Sequence, residues 1–198
     1  MKALITLIVA VALAACGKQA EPGYRITCTL GDDVKADSMA IYAYSEDYRA
    51  SRLLGSHKVS AHSRILTLEG TTDEPTVAFV RAGNRTTYFI LENGNIDITI
   101  GSNTVGLRGT QLNADYYKVF AERCGIMNLR KSLRKKYDAM VAGGEITDSI
   151  DRQFEAAYKH TVDSLRRLHT RARHLHPVVA KAVWYQYSHD LPTPQPKN

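Results

Sequence analysis

Phe89-Ile90-Leu91-Glu92-Asn93-Gly94-Asn95-Ile96-Asp97-Ile98-Thr99-Ile100 is the stretch on which the fold turns. Ile96, Ile98 and Ile100 alternate with polar residues, the period of a strand with one buried face. Asn93-Gly94 stands between two apolar runs, the strongest short-range signal for a β-hairpin. Outward from this segment the same period recurs. Ile26, Cys28 and Leu30 alternate with Arg25, Thr27 and Thr29, and further β runs are predicted at 39–44, 52–59, 64–69, 76–81, 85–91 and 105–108. Gly, Asn, Asp and Ser cluster between the runs, as turn chemistry requires. Short strands at this spacing predict an antiparallel β-sandwich of seven or eight strands over residues 24–112.

After Asn113, which is expected to cap a helix, the apolar period lengthens to about 3.6. Val119, Ile126, Leu133 and Met140 recur every seventh residue, widened by Phe120, Leu129 and Tyr137. Gly143-Gly144 should end that helix. Thr147-Asp148 should start a second, in which Phe154, Tyr158, Thr161, Leu165, Leu168, Ala172 and Leu175 step by fours and threes. Such stripes suit an antiparallel helical hairpin that docks on the sandwich by its apolar faces. A break at His176-Pro177 precedes a last apolar stretch, 178–187. Pro192, Pro194 and Pro196 predict a stiff, disordered tail over 191–198. The fold class is therefore α+β, an antiparallel β-sandwich followed by an α-helical hairpin, with the helical region spanning 113–190.

The chain has 198 residues, 44% hydrophobic and 23% charged, within the range of globular proteins and outside that of disordered or multi-span ones. Three cysteines are too few to staple a mini-protein, so the fold must rest on an apolar core. Residues 3–15 form an apolar run broken only by Thr6 and preceded by Met1-Lys2. That run is too short to span roughly 30 Å of hydrocarbon and reads as a signal peptide over 1–15. Leu13-Ala14-Ala15-Cys16-Gly17 resembles a bacterial lipobox, which makes Cys16 the expected lipidation site, at the head of a tether over 16–23. Two or more acyl chains would anchor the protein stably. The expected location is the cell envelope, at the outer membrane facing the periplasm, with the membrane as partner through the lipid.

Several segments carry a family resemblance. Tyr24-Arg25-Ile26, Ile41-Tyr42, Glu69-Gly70, Pro75-Thr76-Val77-Ala78, the 89–96 segment above and Leu107-Arg108-Gly109-Thr110-Gln111-Leu112-Asn113 follow the order seen in a Bacteroidetes lipoprotein family. Over roughly 24–113 the chain resembles the N-terminal domain of unknown function family 4369, found in thioredoxin-like disulfide reductase lipoproteins. The resemblance implies a domain that normally precedes a catalytic thioredoxin fold. Cysteines at 16, 28 and 124 make no Cys-x-x-Cys pair, so reductase activity is not carried over.

Charge divides with the predicted architecture. Residues 1–112 hold 11 Lys/Arg and 11 Asp/Glu, whereas 113–198 hold 15 and 9, which places the whole net charge of +6 in the helical half. Arg152, Lys159, Arg166 and Arg173 form a seven-step row about 200° around the helix from Phe154, on the solvent side. Such a row is a solvated face or a contact for anionic head groups or an acidic envelope protein. Nucleic acid is not an expected partner of an exported protein. Asp37-Ser38-Met39 and Asp148-Ser149-Ile150 resemble a three-residue acceptor for O-glycosylation at Ser38 and Ser149, as does Asp163-Ser164-Leu165 inside a helix. His174 and His176 form the one close histidine pair, without a third ligand at metal spacing, so surface histidines are expected and no metal or cofactor is. Tyr42, Tyr44 and Tyr48 are either sheet packing or an aromatic binding strip. Cys28 and Cys124 should be unreactive and unpaired. The function expected is a non-catalytic binding or interaction module, with an accessory subunit or truncated remnant of a thioredoxin-like reductase as the alternative.

Overall fold

The computed structural model describes residues 23–45 and 47–190. Eight strands come first: β1 (Tyr24–Leu30), β2 (Ser38–Tyr44), β3 (Ser51–Lys58), β4 (Ile65–Gly70), β5 (Thr76–Ala82), β6 (Arg85–Leu91), β7 (Gly94–Ile100) and β8 (Val105–Arg108). Three helices follow, α1 (Gln111–Ala142), α2 (Asp148–Ala172) and α3 (Pro177–Tyr187), then a turn of 3-10 helix at Ser188–Asp190. The strands form two four-stranded sheets, ordered β4-β1-β7-β8 and β3-β2-β5-β6. The expected α+β sandwich with a helical hairpin is the fold observed. The anticipated tail at 191–198, like the signal segment, lies outside the described residues.

The Asn93-Gly94 step is not a hairpin. β6 and β7 belong to different sheets, and β7 pairs in parallel with β1, from Tyr24↔Gly94 to Leu30↔Ile100, so the sandwich is not wholly antiparallel. The Asn93 side chain is occupied elsewhere. Its Oδ1 accepts from the Thr72 amide at 3.1 Å and its Nδ2 donates to the Thr72 carbonyl at 2.9 Å, tying the crossover to the β4–β5 loop. Gly94 sits at φ 131°, which side chains rarely adopt, and its amide donates to the Gly23 carbonyl at 3.0 Å. A turn signal reports local backbone freedom; β1, some 70 residues earlier, decides where the strand pairs. The two-residue hairpin instead joins β5 to β6, where Gly83 has φ 58° and Ala82 pairs with Arg85.

In the sheet β3-β2-β5-β6, β5 and the end of β6 are buried on both faces, whereas no residue of β3 is buried. On β5, Ala78, Val80 and Ala82 pack into the sandwich, while Val77 and Phe79 point the other way and are also buried. What covers that outer face is α3, with Val178, Val179, Ala182 and Val183 buried, and the first turns of α1, with Tyr116 and Val119 buried. Docking thus uses only part of the hairpin's stripes, with Val119 of α1 and Leu168 and Ala172 of α2 in the core. No residue of α1 beyond Val119 is fully buried, and none of α2 before Thr161. Past those points the hairpin packs on itself, with Tyr137 edge-on to Phe154 at 5.2 Å and its hydroxyl donating to Asp151 at 2.8 Å.

The entry to α1 fixes this layer. Gly109 has φ 119°, and a Cβ there would lie 1.9 Å from the Asn95 carbonyl oxygen, so only glycine passes the junction with β8. Thr110, not Asn113, is the N-cap residue. Asn113 is instead wholly buried in the first turn, and its amide works as a short piece of strand. Oδ1 accepts from the Ile90 N–H at 2.8 Å, and Nδ2 donates to the Ile90 carbonyl at 2.7 Å and to the Thr110 hydroxyl at 2.7 Å. β6 is an edge strand, and this clamp satisfies backbone groups that burial under α1 would otherwise leave without water. Replacing Asn113 by alanine strands a buried donor and acceptor at about 1–3 kcal/mol each. Asn113→Ala is therefore expected to lose about 2–4 kcal/mol in urea unfolding, whereas Asn95→Ala, on an exposed strand position, stays within about 0.5 kcal/mol.

Candidate functional site

The basic row runs along the exposed side of α2, whose opposite side is buried from Thr161 onward. Thr161, Val162, Leu165, Leu168, His169 and Ala172 face inward, while Arg152, Lys159, Arg166 and Arg173 are all exposed. The helix begins well. Thr147 accepts from the Ile150 amide, and Asp148 and Asp151 lie in the first turn against the positive end of the helix dipole. Arg152 Nε donates to the Asp148 carbonyl at 3.1 Å, Arg166 pairs with Asp163 at 3.3 Å, and the Arg173 guanidinium lies 5.7 Å from the ring centre of Trp184. Trp184 is 50% exposed, so the row ends beside an aromatic ring open to solvent.

The tyrosine strip has a different task. Tyr42 stacks on Phe79 at 5.0 Å, Tyr44 on Tyr48 at 5.4 Å and Tyr48 on Tyr185 of α3 at 4.5 Å. The Lys181 ammonium sits 4.2 Å from the Tyr48 ring centre. The faces of Tyr48 are taken, and the ladder mortars the β2–β3 loop onto the helical layer. Tyr48 is held at φ 58° to do so; among the described residues it is the one non-glycine with positive φ. Beside the ladder runs an open groove of about 1080 Å³, whose rim mixes Arg52 and Lys181 with Asp73 and Glu74.

The remaining candidates are separated. Ser38 opens β2 and Ser149 lies in the first turn of α2, both exposed, whereas Ser164 donates to the His160 carbonyl within its helix. His176 Nδ1 accepts from the Val178 amide at the start of α3 and is spent as a cap. Among the described residues no group of three His, Cys, Asp or Glu could hold a metal ion. Cys28 is fully buried between Ile26 and Leu30, and burial pushes its thiol up to about 12. Burial also raises Cys124, and both are free thiols. Cys16 lies outside the described residues. Among those residues no helix is long and apolar enough to cross a membrane.

One cluster has no sequence signal. Tyr116 donates to Gln186 Oε1 and meets the Tyr187 hydroxyl at 2.9 Å, and the Arg123 guanidinium lies 4.3 Å from the Tyr187 ring centre. Arg123 also binds the largely buried Asp190 through two hydrogen bonds, that from Nη2 at 2.9 Å. Partners 67 to 71 residues apart cannot be paired by periodicity. Burial pushes Tyr187 up to about 12 and Tyr116 well above its ordinary value, so both remain neutral donors. The cluster locks α3 to α1. Next to it lies a cavity of about 230 Å³ walled by Tyr88, Tyr117, Phe120 and Tyr187.

Residues 24–116 match the family described as Domain of unknown function (DUF4369). Comparison with curated proteins returns no match. Among solved structures the chain is similar to a "putative cell adhesion protein" from Bacteroides ovatus, at 9% identity and a TM-score of 0.27. That likeness covers 46% of this chain and 43% of the other, so the chain spans less than half of its length, and it carries no argument about this protein.

Two measurements check this site. Burial holds the His169 imidazole below its ordinary 6.5, against the opposing pull of Asp190. As pH falls through 6.5, the unfolded chain takes up a proton that the folded one refuses, so stability should drop from there downward. A His169→Gln variant should show a flatter stability curve over that window in denaturant titrations at several pH values. In native buffer a thiol reagent should label Cys124 slowly and Cys28 only on global unfolding, and equal fast labelling of both would contradict their burial.

Proposed function

We propose that this chain, whose residues 24–116 form a DUF4369 domain, is a lipid-anchored envelope protein that works as a non-catalytic interaction module. The carrying observation is the exposed row Arg152, Lys159, Arg166 and Arg173, one cation every second turn along a helix whose other side is buried from Thr161 onward. A rigid, evenly spaced cationic face of this kind is complementary to an acidic surface, either an envelope protein or anionic head groups. Trp184 beside Arg173 adds an amphipathic ring suited to the edge of such a contact. Acylation at Cys16 would supply the anchor and bring the face near the membrane. Ser38 and Ser149 are the proposed O-glycosylation positions, both exposed.

The thiols support a non-catalytic role. A disulfide exchanger needs a thiolate beside a resolving partner. Cys28 is buried with its thiol pushed up to about 12, and Cys124 is raised by its own burial. Turnover of insulin by the purified chain would overturn this reading.

The direct test reverses the middle of the row. Near an anionic surface each basic residue contributes about 1 kcal/mol, so Lys159→Glu with Arg166→Glu should weaken association at least about tenfold. The fold should lose no more than about 0.5 kcal/mol per site. Vesicles with and without anionic lipid, together with in-cell crosslinking, separate the two kinds of partner, and wild-type association should fall more steeply with salt than that of the variant. Identical partners and identical salt response in both proteins would reduce the row to a solvated face. For the anchor, Cys16→Ala should abolish the lipid mass on the N-terminal peptide and partitioning into detergent.

A further inference from the structure

Past the core the helical hairpin rests on itself. From Ile126 to Met140 on α1 and from Ile150 to Tyr158 on α2 every apolar side chain is half-buried or exposed, and none is fully buried. Two helices cover each other along a single seam, whereas a bundle encloses its apolar positions from several sides. One face of the hairpin holds a groove of about 280 Å³ between Leu133 and Tyr137 of α1 and Phe154 and Tyr158 of α2. Tyr158 is 47% exposed there.

Opposite charges frame this groove. Arg134 lines its α1 side, and Asp151 and Glu155 line its α2 side. Arg134 pairs with Asp138 of its own helix at 2.9 Å, not with the facing acids. The split extends along both helices. Arg130, Lys131, Arg134, Lys135 and Lys136 follow one another on α1 with no acid among them, while Glu145, Asp148, Asp151 and Glu155 stand against Arg152 alone over 145–155. Tyr137 meets Phe154 and Asp151 across the seam of two antiparallel helices. Arg134, a turn before Tyr137, is therefore level with Glu155, a turn after Asp151.

We infer that this face docks a second copy of this chain, hairpin on hairpin, about a two-fold axis parallel to the helices. Closed dimers are most often two-fold, and a two-fold interface must complement itself. An axis running across the helices would lay α1 on the partner's α1 and set cations against cations. An axis along the helices lays α1 on the partner's α2 at the same level. Arg134 then faces Glu155 of the partner subunit, and symmetry makes that contact twice. Tyr137, Phe154 and Tyr158 of both copies are enclosed between the charged edges, as the apolar centre of a four-helix bundle. None of the residues that define this contact belongs to the basic row of α2, and the two surfaces are independent.

Full-length copies with two different C-terminal tags, co-expressed and extracted in mild detergent, report the contact as the fraction of one tag captured with the other. Wild-type copies should be captured together. Arg134→Glu in both copies, or Glu155→Arg in both, sets like charges opposite each other twice in the dimer and should lower capture at least about tenfold. Arg134→Glu in one copy with Glu155→Arg in the other puts opposite charges back at both contacts. That mixed pair should regain wild-type capture, which would also show that each variant folds. Absence of wild-type capture, capture indifferent to either reversal, or a mixed pair no better than its parents would each overturn the inference.

Discussion

Burial of β5 and the end of β6 on both faces of their sheet is the constraint from which the rest of the structure follows. The β3-β2-β5-β6 sheet presents Val77, Phe79 and Ile90 away from the sandwich, and all three are buried. Antiparallel sheets commonly leave one face to water. This one cannot, so the helical half is a third layer of the same fold. Covering the sheet also covers its β6 edge, whose backbone groups must then find partners within the protein. Asn113 supplies both, and the position of α1 is set by that requirement as much as by apolar contact.

The helical layer divides into parts with different duties. α3 and the first turns of α1 belong to the core and are latched by Tyr116, Tyr187, Arg123 and Asp190. The remainder of α1 and the first half of α2 reach past the core and rest largely on one another. α2 bridges the two regions. Its inner residues from Thr161 to Ala172 are anchored, and this holds the outer row in a fixed direction. The helix keeps the seven-residue spacing of the row, and its buried second half fixes where Arg166 and Arg173 face.

What could be read in the sequence followed local period. The alternation at Ile26/Cys28/Leu30 and Ile96/Ile98/Ile100 marked buried strand faces, and the seven-residue step marked the outward row of α2, because both depend on geometry within one element. Pairing between elements left no such trace. Asn93-Gly94 has the chemistry of a hairpin turn, yet Gly94 opens a strand that pairs in parallel with β1. Asn113 has the chemistry of a cap, yet its amide is taken by Ile90, 23 residues back. The Tyr116 cluster joins residues some 70 positions apart and has no local pattern. The continuous apolar run at Val77–Val80 did carry the signal of a doubly covered strand, although a run that short does not say what covers it.

If the helical layer and the doubly buried strands are one cooperative unit, native-state hydrogen exchange measured against denaturant will show it. The amides of Val77, Phe79 and Ile90 on the sheet should merge with those of Tyr116 and Val119 on α1 and Ala182 and Val183 on α3 into a single opening at the global unfolding free energy. Amides near Tyr137 and Phe154 should open earlier. Release of α1 and α3 at a clearly lower free energy, with the sheet still protected, would contradict the account, because the outer face would then be stable without its cover.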